Sequence, residues 1–265
     1  MTAPLTCEVR DGVAQVRLDR PEKRNGLTLE LLDALVDTAH RLADDPALRA
    51  VVIAGNGPSF CAGLDFASVL ADPDGIDRAF APLEGLETNT FQEAAWAWRR
   101  LPVPVVAVVH GHCLGGGLQL ALGADFRFTT PDARWSVLEG RWGLIPDMTG
   151  IRSLAEQVGK DLAKRLVMTS AWFSGADAAR WGLATEAVVD PWAAATDLVG
   201  DLLTRSPDAL AAAKELFERA WGTSPEETFA LEREAQARLL RLPNTRRAQE
   251  AALRGALPAY RPRGT

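Results

Sequence analysis

Two acidic side chains stand eight residues apart in the segment 135–147, WSVLEGRWGLIPD. They are Glu139 and Asp147, and Trp135 and Trp142 supply apolar surroundings. A carboxylate in an apolar pocket can take up and release protons near neutral pH, because burial raises its pKa. The pair therefore predicts either an acid–base site or, with no chemistry attached, two solvated carboxylates of a loop.

Two glycine-bearing turns follow apolar runs and are candidates for ligand contact. The first, in GHCLGGGLQLALGAD (111–125), follows the apolar run 103–111, and the second is SFCAGLDF (59–66). Glycines that lead into a helix let the backbone approach a ligand with free N–H groups at the positive helix end. In a motif that starts at Gly115, Leu120 occupies the sixth position, so G-x-G-x-x-G does not fit, and neither a P-loop nor a G-x-S-x-G elbow occurs. The alternative to ligand contact is that each segment is simply a tight turn.

The elements that must position these segments alternate between strand and helix up to residue 190, and only helices are predicted beyond it. This alternation predicts a doubly wound α/β core. We expect a core domain over 1–190 and a helical segment over 191–265 that covers the pocket or mediates oligomerisation. Residues 66–90 are weakly patterned, with proline and glycine breaks, and we expect a mobile loop with some helix there. The predicted elements are a hairpin over 6–18, a helix over 28–43, strands over 49–55, 103–111, 125–130 and 186–190, and helices over 91–100, 150–168, 174–181, 192–204, 207–221, 225–241 and 245–254.

Composition limits the class of protein. The chain has 265 residues, 47% hydrophobic and 24% charged, which is ordinary globular usage. The net charge of −6 argues against nucleic-acid binding, which needs a basic surface. The cysteines Cys7, Cys61 and Cys113 show no metal-type spacing and indicate a reducing compartment. No signal peptide or long apolar run is visible, so we expect a cytoplasmic protein without membrane association.

Taken together, segments spread over nearly the whole chain resemble the crotonase superfamily, the enoyl-CoA hydratase/isomerase family. The resemblance implies a crotonase-like spiral ββα core with a C-terminal helical segment, assembled as a homotrimer or a hexamer of two trimers. It implies an acyl-CoA thioester substrate, with no metal and no cofactor, since coenzyme A is part of the substrate. The segments that carry it are LDRPEKRNGL (18–27), SFCAGLD (59–65), GHCLGGGLQLALGAD (111–125), WGLIPDMTGIRSLAEQVG (142–159) and FSGADAARWGLATEAV (173–188).

The resemblance also implies where the thioester lies. The N–H groups of Ala62 and Gly116 are expected to form an oxyanion hole for the thioester oxygen as it becomes an enolate oxygen. Coenzyme A is expected along Lys23, Arg24, Ala62 and Asp65, although Lys23 and Arg24 also fit a solvated loop.

The catalytic residues implied by the resemblance are Glu139, Asp147 and Gln119. Family hydratases carry glutamates at the positions of Gln119 and Glu139, but an amide neither takes nor gives a proton at neutral pH. Glu139 and Asp147 have the spacing of the family's dienoyl-CoA isomerases, whose additional aspartate falls at Gln119. We therefore predict an enoyl-CoA or dienoyl-CoA isomerase with Glu139 as proton carrier. A hydratase that tolerates Gln119, a related thioester lyase or hydrolase, and a non-catalytic acyl-CoA-binding protein stay open as alternatives.

Overall fold

The computed structural model describes residues 3–264. Within that part, the strands are β1 (Leu5–Arg10), β2 (Val13–Leu18), β3 (Ala50–Gly55), β4 (Val105–Val109), β5 (His112–Leu114), β6 (Phe126–Thr129), β7 (Arg134–Ser136), β8 (Phe173–Ser174) and β9 (Glu186–Ala187). The helices are α1 (Leu29–Ala43), α2 (Phe66–Val69), α3 (Pro73–Phe80), α4 (Thr90–Arg100), α5 (Gly116–Leu122), α6 (Gly150–Gln157), α7 (Lys160–Thr169), α8 (Gly175–Trp181), α9 (Pro191–Leu203), α10 (Pro207–Ala220), α11 (Pro225–Leu239) and α12 (Pro243–Arg254).

The large sheet has the strand order β1-β2-β3-β4-β6-β9. The hairpin β1–β2 is antiparallel, and every later pair in this sheet is parallel. A doubly wound sheet requires a reversal of strand order, and none occurs here, so that prediction is wrong. Successive α/β units instead add strands in one direction, which confirms the expected spiral α/β core.

A second, small sheet contains β5, β7 and β8 in that order. Its strands are only two or three residues long, so no alternating pattern marked them in the sequence. This sheet matters for the site, because β5 leads into the glycine turn before α5 and β7 leads toward Glu139.

Both faces of the large sheet are covered, which explains the continuous apolar runs of its central strands. Val51 and Ile53 of β3 face the main core with α1 and α4. The alternate residue Val52 faces a second cluster that includes Ala195 and Val199 of α9. Strand alternation thus divides one apolar run between two layers of helices.

From Pro191 onward the described residues form four helices, α9 to α12, and no strand, as predicted, and the residues after Arg254 are not helical. Lys214 of α10 is buried and its Nζ bonds to Asp125 Oδ2 at 2.7 Å and to Val103 O at 3.0 Å. This contact fixes α10 against the chain just before the starts of β4 and β6. Whether 1–190 and 191–265 are separate domains stays a prediction.

The final described residues close over this helical segment. The Nδ2 group of Asn244, buried at the start of α12, donates to Asp208 Oδ2 at 2.8 Å and to Arg261 O at 3.1 Å. The Gly264 N–H donates to the other oxygen of Asp208 at 2.7 Å. Residues 261–264 therefore tie α12 to the first turn of α10.

Residues 66–90 contain two short helices, α2 and α3, so the expected helical content is confirmed while the mobility stays a prediction. Asp65 and Asp72 cap these helices by accepting from Ser68 N at 3.3 Å and Gly75 N at 2.9 Å.

Among residues 3–264, none of the helices combines the length and apolar character that crossing a membrane requires.

Candidate active site

The two glycine-bearing turns predicted from the sequence lie against each other. The Cys61 N–H donates to His112 O at 2.9 Å, and the Leu114 N–H donates to Cys61 O at 3.0 Å. Gly63 has φ +89°, and a Cβ there would lie 2.9 Å from Leu114 O. Only glycine allows this close approach, which brings the chain at 62–64 beside the start of α5.

A buried asparagine holds the first turn in place, and the sequence analysis missed it. The Asn25 side chain donates to Ser59 O at 2.8 Å, Phe60 O at 3.1 Å and Asn56 O at 3.0 Å. Asn25 itself has φ +56°, a region that asparagine tolerates better than most residues. The only signal in the sequence was its place before a glycine in a polar loop.

The Ala62 N–H is not available as an oxyanion donor, which corrects the expectation. It donates to Arg24 O at 2.9 Å, a contact that attaches the early loop to this turn. The motif could not show this pairing of the Ala62 N–H, because its partner Arg24 lies far away in sequence.

Leu64, two residues further on, has the free donor. The Leu27 N–H donates to Gly63 O at 2.8 Å and the Asp65 N–H donates to Leu27 O at 2.8 Å. Because direction alternates along an extended backbone, the Leu64 N–H then points away from Leu27. Among residues 3–264 it has no acceptor, and neither does the Gly116 N–H in the first turn of α5.

Glu139 lies directly beside the glycine turn, as its predicted role requires. Gly115 has φ +49°, and a Cβ there would lie 3.2 Å from Glu139 Oε1. That oxygen accepts from Gln119 Nε2 at 2.6 Å. Oε2 is buried without a hydrogen-bond partner in the described part of the chain. Burial raises the pKa of Glu139, the negative charge of Asp147 raises it further, and the bond from Gln119 opposes the rise.

Gln119 contacts Glu139 but does not itself line the cavity. Its Oε1 accepts from the Met148 N–H at 2.8 Å and the Gly150 N–H at 2.9 Å. Between them, Thr149 has φ +69°, a conformation that costs a β-branched residue about 1–3 kcal/mol. One amide therefore orients Glu139 and holds a strained turn, so Gln119 is a positioning residue in this structure.

Asp147 precedes that strained turn and lines the same cavity as Glu139. It is half-buried, and burial raises the pKa of its carboxyl group. The structure thus brings the two predicted carboxylates to one cavity, with Gln119 bonded to the first and to the backbone just after the second.

The cavity has a volume of about 310 Å³ and is mostly apolar. In its wall Trp142, more than half exposed, packs at a tilt against Phe66, with ring centroids 4.6 Å apart. Its lining consists of Ala62, Gly63, Leu64, Phe66, Val69, Leu70, Ile76, Phe80, Phe91, Gly115, Gly116, Leu138, Glu139, Trp142, Leu144, Ile145, Asp147 and Met148.

The residues expected along coenzyme A differ in their surroundings. Lys23 and Arg24 are exposed and can reach an external phosphate, so their role stays a prediction. Asp65 is already engaged, because its Oδ2 pairs with Arg20 at 3.1 Å and its Oδ1 caps α2 at Ser68. The Asp65 side chain thus stabilises the turn, and any contact of Asp65 with coenzyme A would be made by its backbone.

Cys61 and Cys113 are buried and free beside the two turns. Burial raises the pKa of the Cys61 thiol to about 12, and burial also raises the pKa of Cys113 well above its usual value. Cys61 Sγ donates to Asn25 O at 3.0 Å. Both are packing residues and not nucleophiles.

Comparisons with known proteins agree with this geometry. The model of the family described as enoyl-CoA hydratase/isomerase matches residues 8–252. The hydroxycinnamoyl-CoA hydratase-lyase of Pseudomonas fluorescens is 33% identical over 220 residues, covering 80% of this chain and 77% of that protein. The mitochondrial Delta(3,5)-Delta(2,4)-dienoyl-CoA isomerase of Mus musculus is 32% identical over 211 residues, 76% and 64% of the two chains. A crystal structure of enoyl-CoA hydratase from Mycobacterium smegmatis aligns with a TM-score of 0.86 at 30% identity, over 97% of this chain and 98% of that one.

Proposed function

The chain belongs to the enoyl-CoA hydratase/isomerase family and has the crotonase fold, and from that premise we propose that it is an enoyl-CoA or dienoyl-CoA isomerase with Glu139 as proton carrier. Membership means that it processes acyl-CoA thioesters. The named relatives include both hydratases and an isomerase, so the choice between reactions rests on the residues of the site.

The observation that carries the proposal is the bond from Gln119 Nε2 to Glu139 Oε1. An amide at position 119 cannot act as the second proton-transferring group that a two-glutamate hydration needs. Glu139 Oε2 stays beside the glycine turn, buried and without a hydrogen-bond partner among residues 3–264. A single base of this kind suits moving a proton between two carbons.

For a 3-enoyl thioester, Glu139 Oε2 removes a proton from C2, the C2–H electrons form a C1–C2 double bond, and the electrons of the thioester carbonyl move onto its oxygen to give a conjugated enolate. The same carboxylic acid then returns the proton to C4. The oxygen electrons restore the carbonyl, the C1–C2 electrons form the C2–C3 double bond, and the electrons of the former C3–C4 double bond form the new C4–H bond. Mass and charge balance without water. With a 3,5-dienoyl substrate the proton is delivered to C6 instead, which calls on a second acid. We assign that role to Asp147, whose side chain lines the same cavity.

The enolate oxygen needs stabilisation by preorganised donors. We assign this role to the N–H groups of Leu64 and Gly116, which lack acceptors among the described residues. Loss of one such donor typically costs about 10²–10³ in rate.

Hydration is the second candidate, and Asp147 is the observation that favours it. Its carboxyl lines the cavity with a raised pKa and offers a second acid beside Glu139. Gln119→Glu restores the family's hydratase pair in sequence, and we expect hydration to appear or rise in that variant while isomerisation changes less.

The test is incubation with 2-enoyl-, 3-enoyl- and 3,5-dienoyl-CoA, followed by mass and ultraviolet absorbance. Isomerisation leaves the mass unchanged, whereas hydration adds one water. Glu139→Gln is expected to lower the rate by at least roughly 10²-fold. Glu186→Gln, an exposed exchange on β9, is the matched control. Wild-type hydration that matches isomerisation in rate and survives Glu139→Gln would refute the assignment.

A further inference from the structure

Away from its two carboxylates, the cavity offers a ligand almost nothing polar. Besides Glu139, Asp147 and backbone groups, its walls are aliphatic or aromatic, and the one other polar atom on a lining side chain is the indole N–H of Trp142. No hydroxyl, side-chain amide, imidazole, lysine or arginine lines it among the described residues. A polar end group placed here would lose its water without gaining a partner.

Two aromatic pairs form much of the wall. Phe66 packs against Trp142, and Phe80 lies against Phe91 with ring centroids 4.9 Å apart. Phe91 is buried in α4, while Phe80 is the last residue of α3 and is half exposed. Phe80 therefore forms a wall that rests on a fixed ring but can be removed without opening the core.

The size of the cavity limits what it encloses. A volume of about 310 Å³ is at the low end for small-molecule sites. At about 30 Å³ for each water-sized group, it holds on the order of ten non-hydrogen atoms. Within that limit, each methylene buried against apolar walls strengthens binding by up to roughly fourfold.

We propose that this site takes acyl groups that are plain hydrocarbon beyond the reacting carbons, of short to medium length, and that Phe80 against Phe91 sets the length limit. The inference rests on the proposed function in placing the acyl group in this cavity. It goes further in excluding hydroxylated and charged acyl groups.

Saturated acyl-CoA thioesters test this without turnover. Titration calorimetry with butanoyl-, hexanoyl-, octanoyl- and dodecanoyl-CoA should show affinity rising with length to about octanoyl and then levelling or falling, as the cavity fills. Phe80→Ala should move that limit to longer chains. Val189→Ala, an exposed exchange between β9 and α9 and outside the cavity lining, is the control and should leave the profile unchanged. Circular dichroism checks that both variants fold.

The polarity part is tested by pairs of ligands. Cinnamoyl-CoA should bind at least about tenfold more tightly than hydroxycinnamoyl-CoA, because the buried hydroxyl lacks a partner. Equal or tighter binding of the hydroxylated ligand, or of an acyl-CoA bearing a trimethylammonium group, would overturn the inference. A length profile that is flat, or that Phe80→Ala leaves unmoved, would overturn the role of Phe80. Length-dependent binding without isomerisation of any substrate would instead refute the proposed function alone.

Discussion

The buried position of Glu139 favours proton transfer but lowers the stability of the fold. Burial raises its carboxyl pKa, so the folded protein holds the Glu139 proton more tightly than the unfolded chain does. Its ionisation therefore destabilises the fold as pH rises through the unfolded pKa toward the raised folded value. The unpartnered oxygen that suits proton transfer is the physical source of this cost.

Glu139→Gln should accordingly raise the melting temperature at neutral pH while it abolishes proton transfer. The gain should shrink on acidification and vanish below both pKa values, where the wild-type carboxyl is already neutral. Thermal melts of both proteins across pH 4 to 8 measure this. A variant less stable than wild type at pH 7 would contradict the assignment of a raised pKa.

Asp147 should show its effect in the pH profile of the reaction. Its negative charge helps to raise the pKa of Glu139, so Asp147→Asn should move the acidic limb of kcat/KM to lower pH. The same change should slow dienoyl isomerisation more than enoyl isomerisation, since only the former uses a second acid. Profiles with both substrates give the two readouts, and an acidic limb that stays in place would exclude the coupling.

At the scale of elements, the early loop is held by one side chain. Asn25 donates to backbone carbonyls of the turn that carries Leu64, so its loss leaves buried acceptors without donors. Asn25→Ala should cost at least about 1–3 kcal/mol of unfolding free energy and should also slow the reaction. Glu22→Ala, exposed in the same loop, should do neither. Denaturant melts and initial rates compare the two, and an Asn25→Ala protein as stable and active as the control would disprove the anchoring role.

The sequence predicted the elements with strong patterns and missed those set by distant pairing. Continuous apolar runs predicted β3 and β4, and helical spacing after Thr28 predicted α1 with its cap, in which Thr28 accepts from Leu31 N at 3.2 Å. The strands β7 and β8 escaped prediction because each is too short for a period to show. The donor at Leu64 was missed because it depends on distant pairing: the backbone groups of Leu27 and Arg24 determine which N–H groups of the turn are engaged.

For the whole molecule, the exposed apolar side chains of the helical segment bear on assembly. Phe217, Phe229, Leu253 and Leu257 are each more than half exposed in the single chain. Apolar residues this exposed often mark surfaces that partners cover. The homotrimer or hexamer implied by the family resemblance stays a prediction, and light scattering at micromolar concentration measures it. A monomer would contradict it.

The packing of the thiols has a practical consequence for labelling. Cys61 and Cys113 are buried with strongly raised pKa values, which protects them from alkylating reagents, whereas Cys7 is only partly buried in the edge strand β1. A maleimide dye therefore has a single favourable attachment point, outside the acyl cavity. The native chain already carries the handle that fluorescence work on ligand exchange or subunit mixing needs, without engineered cysteines.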